Sequence, residues 1–369
     1  MRRFGHGTGA VYNQTLSEKP WAPPGVSLIA ARKMWPVTKG EQVVVAVLDT
    51  GIDYTHPDLA GNVIDGKSMI AGEKDYLDEN GHGTHVAGTI AANGKLLGVA
   101  PHAKLLAVKV LDKDGAGSYA SISQGIAWAR KWQGPKGEKV NVINMSLGGP
   151  VPDNSMHKEI VQAVQDGISV VCAAGNSGDG DPNTPELSFP AYYEESLAVG
   201  AVDLQMGLAN FSNSNEHIDI VAPGVATYST YPDNRYVELS GTSMAAPHIS
   251  GALALIYSRF FKRFGMYPTP EQIKNLLHYQ AIDLEIEGFD NLSGYGLFSF
   301  NIDGGKSIQL FLNQKTYQVN TQEKILTSAP FVNNDIPCGS VCEISEILAT
   351  DALYVPAGQH QQGKILIWS

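Results

Sequence analysis

The chain has 369 residues, with 26 Lys and Arg against 37 Asp and Glu, a formal net charge of −11, and 43% hydrophobic residues. That length suits one large core plus a small appendage, and the acidic balance argues against a nucleic-acid partner, which needs clustered Lys and Arg. No apolar run approaches the ~20 residues that cross a bilayer, so no membrane span is expected. The first residues, Met1-Arg2-Arg3-Phe4-Gly5, carry two positive charges with no apolar h-region behind them, so no secretory signal is expected. This places the protein in the cytoplasm, with an extracellular protein as the alternative. Val43 to Leu48, Lys104 to Val110, Val140 to Met145 and Ile168 to Ala174 are nearly continuous, β-branched apolar runs. Strands of that texture are buried on both faces, as in a parallel sheet covered by helices. Between them, Gly83 to Ala92, Ser118 to Lys131 and Ser155 to Gln165 show helical spacing. The alternation predicts an α/β fold, a doubly wound, mostly parallel sheet. Ligands of such sheets gather beyond the carboxyl ends of the strands, where Asp49, Ser146 and Asn176 fall.

Farther on, Thr269-Pro270-Glu271 reads as a helix start with Pro in the first turn. Beyond Phe300 the texture changes to short strands, Ile308 to Leu312, Thr316 to Val319 and Lys364 to Trp368. The expected domains are an N-terminal extension over 1–25, an α/β domain over 26–302 and a small β-rich accessory domain over 303–369. Cys172 lies inside an apolar strand as a small hydrophobe. Cys338 and Cys342 stand four apart, a spacing open to a small disulfide.

Three segments carry the chemistry. Ser240-Gly241-Thr242-Ser243-Met244-Ala245-Ala246-Pro247-His248 opens an apolar helical run, Ile249 to Tyr257, and sets a small hydroxyl at the head of a helix. A serine hydroxyl is a poor nucleophile until a neutral imidazole takes its proton. Asp49 ends the run Val43 to Leu48 and precedes Thr50-Gly51, and Asn80-Gly81-His82-Gly83-Thr84-His85 supplies two imidazoles at a helix start. A lone strand-end Asp also serves turns. His82 and His85 are spaced to grip a metal, but a zinc site wants a third ligand and a catalytic Glu, which the segment lacks. Asn176, in Ala173-Ala174-Gly175-Asn176-Ser177-Gly178, has the neighbours of a plain turn as well as of a polar site.

Read together, in the chain order Asp, His, Ser, these segments resemble the subtilases, the subtilisin family of serine endopeptidases. The resemblance runs from about Val26 to Phe300 and is closest to the intracellular subtilisins, through Val171-Cys172-Ala173-Ala174-Gly175-Asn176, Gly178-Asp179-Gly180-Asp181 and Phe211-Ser212-Asn213-Ser214-Asn215. It implies hydrolysis of peptide bonds through an acyl-enzyme on Ser243, with His82 as base and Asp49 orienting it. It makes His85 a packing residue, and Asn176 with the Ser243 N–H the oxyanion hole. Polypeptide substrates would lie as a strand between Gly115-Ala116-Gly117-Ser118-Tyr119 and Ser146-Leu147-Gly148-Gly149. Ala173, Ala174, Gly175 and Ser188 would line a roomy, uncharged pocket of broad, apolar preference.

The resemblance implies no cofactor for the chemistry, and a structural cation, calcium or sodium, near Ala191, Tyr193 and Asp219. Two departures stand out. The Leu-Ile-Pro-Tyr leader by which intracellular members cover their own cleft is absent from residues 1–25, although a different leader sequence there is open to the same use. Ala91-Ala92-Asn93-Gly94-Lys95-Leu96 is also shorter than the family's calcium-binding loop. The alternative function is a catalytically silent homologue that only binds peptides. No oligomeric state follows from the sequence, and a dimer is open.

Overall fold

The computed structural model describes residues 2–3, 19–284 and 286–300, and the backbone of seven further strands between 307 and 368. The Cys338–Cys342 disulfide that the spacing leaves open and most of the N-terminal extension lie outside the described residues. Contacts divide the chain into two units, one of Met1–Pro270 with Ala281–Phe300, the other of Glu271–Gln280 with Asn301–Ser369.

In the first unit the strands are β1 (Arg2–Arg3), β2 (Val44–Asp49), β3 (Val63–Ser68), β4 (Lys104–Lys109), β5 (Val142–Met145), β6 (Leu147–Gly148), β7 (Ser169–Ala173), β8 (Leu197–Val202), β9 (Ile218–Pro223), β10 (Thr227–Tyr231), β11 (Arg235–Leu239), β12 (Ala281–Ile282) and β13 (Leu297–Phe298). Its helices are α1 (Pro24–Leu28), α2 (His82–Ala91), α3 (Tyr119–Lys131), α4 (Asn154–Gln165) and α5 (Thr242–Phe264). Nine strands form one sheet in the order β12-β13-β9-β8-β7-β5-β2-β4-β3, and every pairing is parallel except β12 with β13. The doubly wound α/β architecture expected from the apolar runs is therefore present, with helices on both faces.

Alternation along the strands decides what each face receives. Ala46 and Leu48 of β2, Leu106 and Val108 of β4, Ile143 and Met145 of β5, and Val170 and Cys172 of β7 join Ile122 and Ile126 of α3 and Met156 and Ile160 of α4 in one apolar core. The odd residues of β2, ending in Asp49, turn to the opposite face, where α2 and α5 pack. A strand-end carboxylate is thereby delivered to the helix that begins at His82.

Helix ends follow local rules. Ser118 caps α3 by accepting the Ser121 N–H, with Ser121 reciprocating, and Asp153 caps α4 by accepting the Met156 N–H. Beside the main sheet, β10 and β11 form an antiparallel hairpin. β1 pairs antiparallel with β6, Arg2 opposite Gly148 and Arg3 opposite Leu147.

The second unit holds α6 (Pro270–Tyr279), except for its first residue, and the strands β14 (Ser307–Phe311), β15 (Thr316–Val319), β16 (Gln322–Ile325), β17 (Phe331–Asn333), β18 (Ile336–Cys338), β19 (Ala352–Val355) and β20 (Lys364–Trp368). Five of them form an antiparallel sheet in the order β16-β15-β14-β20-β19, and β17 pairs with β18.

Candidate active site

Asp49 ends β2 and His82 begins α2, both within 1% of full burial. His82 Nδ1 lies 2.8 Å from Asp49 Oδ1. Because that carboxylate oxygen also accepts the Thr50 N–H at 2.7 Å, Nδ1 carries the proton and donates it. In the neutral ring the opposite nitrogen, Nε2, then holds the lone pair, and it is buried without a hydrogen-bond partner. This is the tautomer a proton acceptor needs. Gly83 makes the approach possible, since a Cβ there would collide with the Gly51 carbonyl and crowd Asp49.

His85, one turn along, plays no part in that pair. Its Nε2 faces the carbonyls of Thr227 at 2.9 Å and Val237 at 3.2 Å, so it donates to the β10–β11 hairpin. Burial, then the neighbouring His82, pushes it down to about 3. Each imidazole thus spends one ring nitrogen on a protein partner, His82 on Asp49 and His85 on the hairpin carbonyls.

Ser243 is the second residue of α5 and fully buried. Its hydroxyl donates to the Ser146 carbonyl at 3.2 Å, while His82 Nε2 has no partner. The serine–histidine hydrogen bond is thus not made in this rotamer. In free enzymes such bonds often tighten only around substrate. The peptide unit of Ser243 is held from outside its own helix. Pro247, four residues on, has no N–H to give the Ser243 carbonyl. The Ser146 hydroxyl donates to that carbonyl instead, at 2.9 Å, and itself accepts from Asn144 Nδ2 at 3.0 Å.

Asn176 lies beyond the end of β7, partly buried. Its Oδ1 accepts both the N–H and the hydroxyl of Thr242, each at 2.9 Å. With the oxygen so committed, the amide's two N–H groups point the other way. The Thr242 hydroxyl in turn accepts the Gly175 N–H at 3.1 Å. The Ser243 N–H, in the first helical turn, has no intrahelical carbonyl to meet, so a backbone donor stands one residue from the Asn176 anchor.

The expected substrate segments are placed as follows. Gly115, at φ +73, closes a turn with its N–H on the Asp112 carbonyl, while Ala116 is exposed and Gly117 lies against the Val110 carbonyl. Ser146, Leu147 and Gly148 are buried, and β1 occupies the edge of Leu147 and Gly148 where a peptide strand is expected. Ala173, Ala174 and Ser188 are buried, and the Ser188 hydroxyl has no partner. Gly175, at φ +117, packs on the Asn213 amide, which donates to the Glu186 carbonyl at 3.2 Å and accepts the Ser177 N–H at 2.7 Å.

Thr242, Asn144 and Asn213 were not singled out in the sequence. Thr242 and Asn213 act across at least 27 positions of chain, and both stood inside segments already of interest without being given a role, whereas Asn144 lies within an apolar strand and reaches Ser146 and the distant Ser250.

Ala191, Tyr193 and Asp219, the expected cation residues, are all buried, and Asp219 Oδ2 accepts the Ala198 N–H at 2.9 Å. At the shortened loop after α2, Asp58 takes the Lys95 and Leu96 N–H groups and the Tyr236 hydroxyl, each at 2.8 Å.

Comparison with known proteins agrees with this geometry. The profile of the subtilase family matches residues 40–296. The chain is 50% identical to the "Major intracellular serine protease" of Bacillus subtilis (strain 168) over 257 residues, 67% of this chain and 79% of that protein. It is 49% identical to the "Intracellular serine protease" of Paenibacillus polymyxa over 242 residues, 63% of this chain and 72% of that one. "Subtilisin DY" of Bacillus licheniformis is 45% identical over 269 residues, 71% of this chain and 92% of its own. A profile match across most of the chain, over the sheet that aims Asp49 at His82, makes this protein a member of the subtilase family.

Proposed function

We propose that this subtilisin-like serine endopeptidase hydrolyses polypeptides through an acyl-enzyme on Ser243, with His82 as the base, Asp49 as its orienter and Asn176 with the Ser243 N–H as the oxyanion hole. The observation that carries the assignment is the 2.8 Å bond from His82 Nδ1 to Asp49, which leaves a buried lone pair on Nε2. In the reaction the Ser243 oxygen bonds to the scissile carbonyl carbon as its proton passes to Nε2. The carbonyl oxygen becomes an anion that the two donors stabilise. Collapse expels the amine, which takes the proton from Nε2, and water repeats the sequence to free the acid. As a subtilase the enzyme needs no cofactor for this chemistry.

The test is direct. Ser243→Ala is expected to abolish cleavage of unfolded casein, and a serine-directed fluorophosphonate should label the wild type alone. Casein cleavage by Ser243→Ala at the wild-type rate would refute the assignment.

In the same reading, substrate pairs with 115–117 and, in place of β1, with 146–148, and its side chain before the cut enters the pocket of Ala173, Ala174, Gly175 and Ser188. Small, uncharged walls support broad, apolar preference, and cleavage-site profiling on a peptide library tests it. A structural cation, calcium or sodium, would take the carbonyls of Ala191 and Tyr193 and the Asp219 carboxylate. Burial of all three supports the site, but calcium takes six to eight oxygens, so further ligands would have to complete the shell. Isothermal titration of the chelated protein with each ion tests it. A catalytic domain over 26–302 with an accessory domain over 303–369 also belongs to this proposal, and limited proteolysis near 302 would separate them. Two relatives whose names call them intracellular support a cytoplasmic location, and activity confined to culture supernatant would refute it.

A further inference from the structure

A second buried carboxylate, Asp78, stands behind the Asp49–His82 pair at 4% exposure. Its Oδ1 accepts the Thr50 hydroxyl and the N–H groups of Asn80 and Gly81, all at 2.9 Å. Its Oδ2 accepts the N–H and hydroxyl of Thr84, at 2.9 and 2.7 Å. The partners belong to two places only. Thr50 directly follows Asp49, while Asn80, Gly81 and Thr84 bracket His82. The Thr50 hydroxyl closes the link by accepting the Gly83 N–H at 3.0 Å.

Among the described residues Asp78 makes no ion pair. Five donors and the positive end of α2 hold its charge, and hydrogen bonds to an ionised acceptor are about twice as strong as neutral ones. The nearest cation along Thr50 is Lys109, whose Nζ binds the Thr50 carbonyl at 2.9 Å and faces Glu73 at 3.5 Å. Thr50 is therefore gripped on its hydroxyl by an anion and on its carbonyl by a cation. The only covalent route from Asp49 to His82 is 33 residues long. Asp78 spans the same gap through one side chain.

We propose that Asp78 is a positioning residue for the proton relay, fixing the reach and tilt of the His82 ring against Asp49 by locking Thr50 to the first turn of α2. It acts through these groups and touches no substrate. The inference rests on the Asp49–His82–Ser243 assignment above.

Two variants test it in the full chain. Asp78→Asn keeps the size but turns an amide donor toward N–H groups that need an acceptor. Thr50→Val keeps Asp78 in place and removes the hydroxyl that bonds both Asp78 and the Gly83 N–H, whereas Thr50→Ser restores that hydroxyl. Misplacing a catalytic group by 1 Å can cost about a hundredfold. Asp78→Asn and Thr50→Val are therefore expected to lower kcat per titrated active site by about tenfold to a hundredfold, with KM within about twofold and Thr50→Ser near wild type. A merely structural role would lower the thermal midpoint and the number of titratable sites, yet leave kcat per site untouched. That result in Thr50→Val overturns the proposal, even if Asp78→Asn fails to fold. His82→Ala run alongside separates the two ideas. If it is inactive while Thr50→Val turns over normally, only the role of Asp78 falls; if it keeps full turnover, the site assignment falls first.

Discussion

Thr242 holds Asn176 by two hydrogen bonds to a single oxygen, from its N–H and from its hydroxyl, each 2.9 Å long. The arrangement dictates which end of the amide faces outward. It also ties the turn after β7 to the helix that carries Ser243.

Asn176→Ala should therefore lower kcat by about 10²–10³ with little change in KM, a size taken from loss of one such donor in a related subtilisin. Thr242→Val keeps the backbone donor and removes the hydroxyl, so a smaller fall of about tenfold is expected from the loosened amide. Steady-state kinetics on a chromogenic peptide checks both. An unchanged kcat in Asn176→Ala would remove the amide from the reaction.

Asp49→Asn should cost about 10⁴ in kcat, the order seen when the triad carboxylate is replaced in other serine proteases. An amide at 49 still meets the Thr50 N–H with its oxygen, but then presents N–H groups to Nδ1 and favours the wrong imidazole tautomer. NMR of the imidazole nitrogens in the folded variant would show that exchange directly.

Ser146→Ala should destabilise the fold by about 1–3 kcal/mol, because the Ser243 carbonyl is left buried with no donor. Adding Pro247→Ala gives that carbonyl a helical N–H again. The double variant is expected to recover stability relative to Ser146→Ala in urea unfolding, and strict additivity would contradict the link.

Two buried imidazoles set a pH dependence of stability. Burial pushes His85 down to about 3 and His248 down to about 4, against an unfolded value near 6.5. Above about pH 6.5 both are neutral in either state, and their contribution is complete. As pH falls from there toward 4 the unfolded chain takes up protons that the fold refuses, so stability drops, by at most about 3 kcal/mol per pH unit for two groups. His56 shifts the same way, and Glu41, held well below the usual carboxylate range by its Lys262, Thr38 and His102 contacts against an opposing burial penalty, adds loss only below about pH 4.5. Urea midpoints should fall steadily between pH 6.5 and 5. A flat profile would mean that these rings are protonated in the fold.

Asp58→Ala removes an acceptor from two N–H groups and one hydroxyl, so a loss of about 3 kcal/mol or more is expected, read from urea unfolding. If the variant matched wild type, the shortened loop would be supported by something other than this carboxylate.

Sequence made the interior of the sheet legible because β2, β4, β5 and β7 are apolar on both faces and dense in Val, Ile and Leu. Edge and small-residue strands hid. β3, with Asp65 and Lys67 on exposed faces, reads as a loop, and β9 carries Asp219 and Pro223 inside a fully buried strand. The expected strands and helices before residue 270 agree with the structure to within about two residues, except α5, which runs beyond its apolar stretch in both directions. At the site, the chemically expressive residues stood out because their neighbours along the chain are distinctive. Thr242 and Asp78 support them through hydrogen bonds that close only after folding, and local pattern carries no trace of such partnerships; Ser146 stood out as a strand end, but its bond to the Ser243 carbonyl did not.

The proline inside α5 has a mechanical consequence. Since the Ser243 carbonyl hangs from Ser146 at the end of β5 rather than from its own helix, the nucleophile is moored to the sheet. The sheet thereby takes over an anchor that the proline removes from the helix, and the first turn of α5 answers to β5 as well as to its own axis.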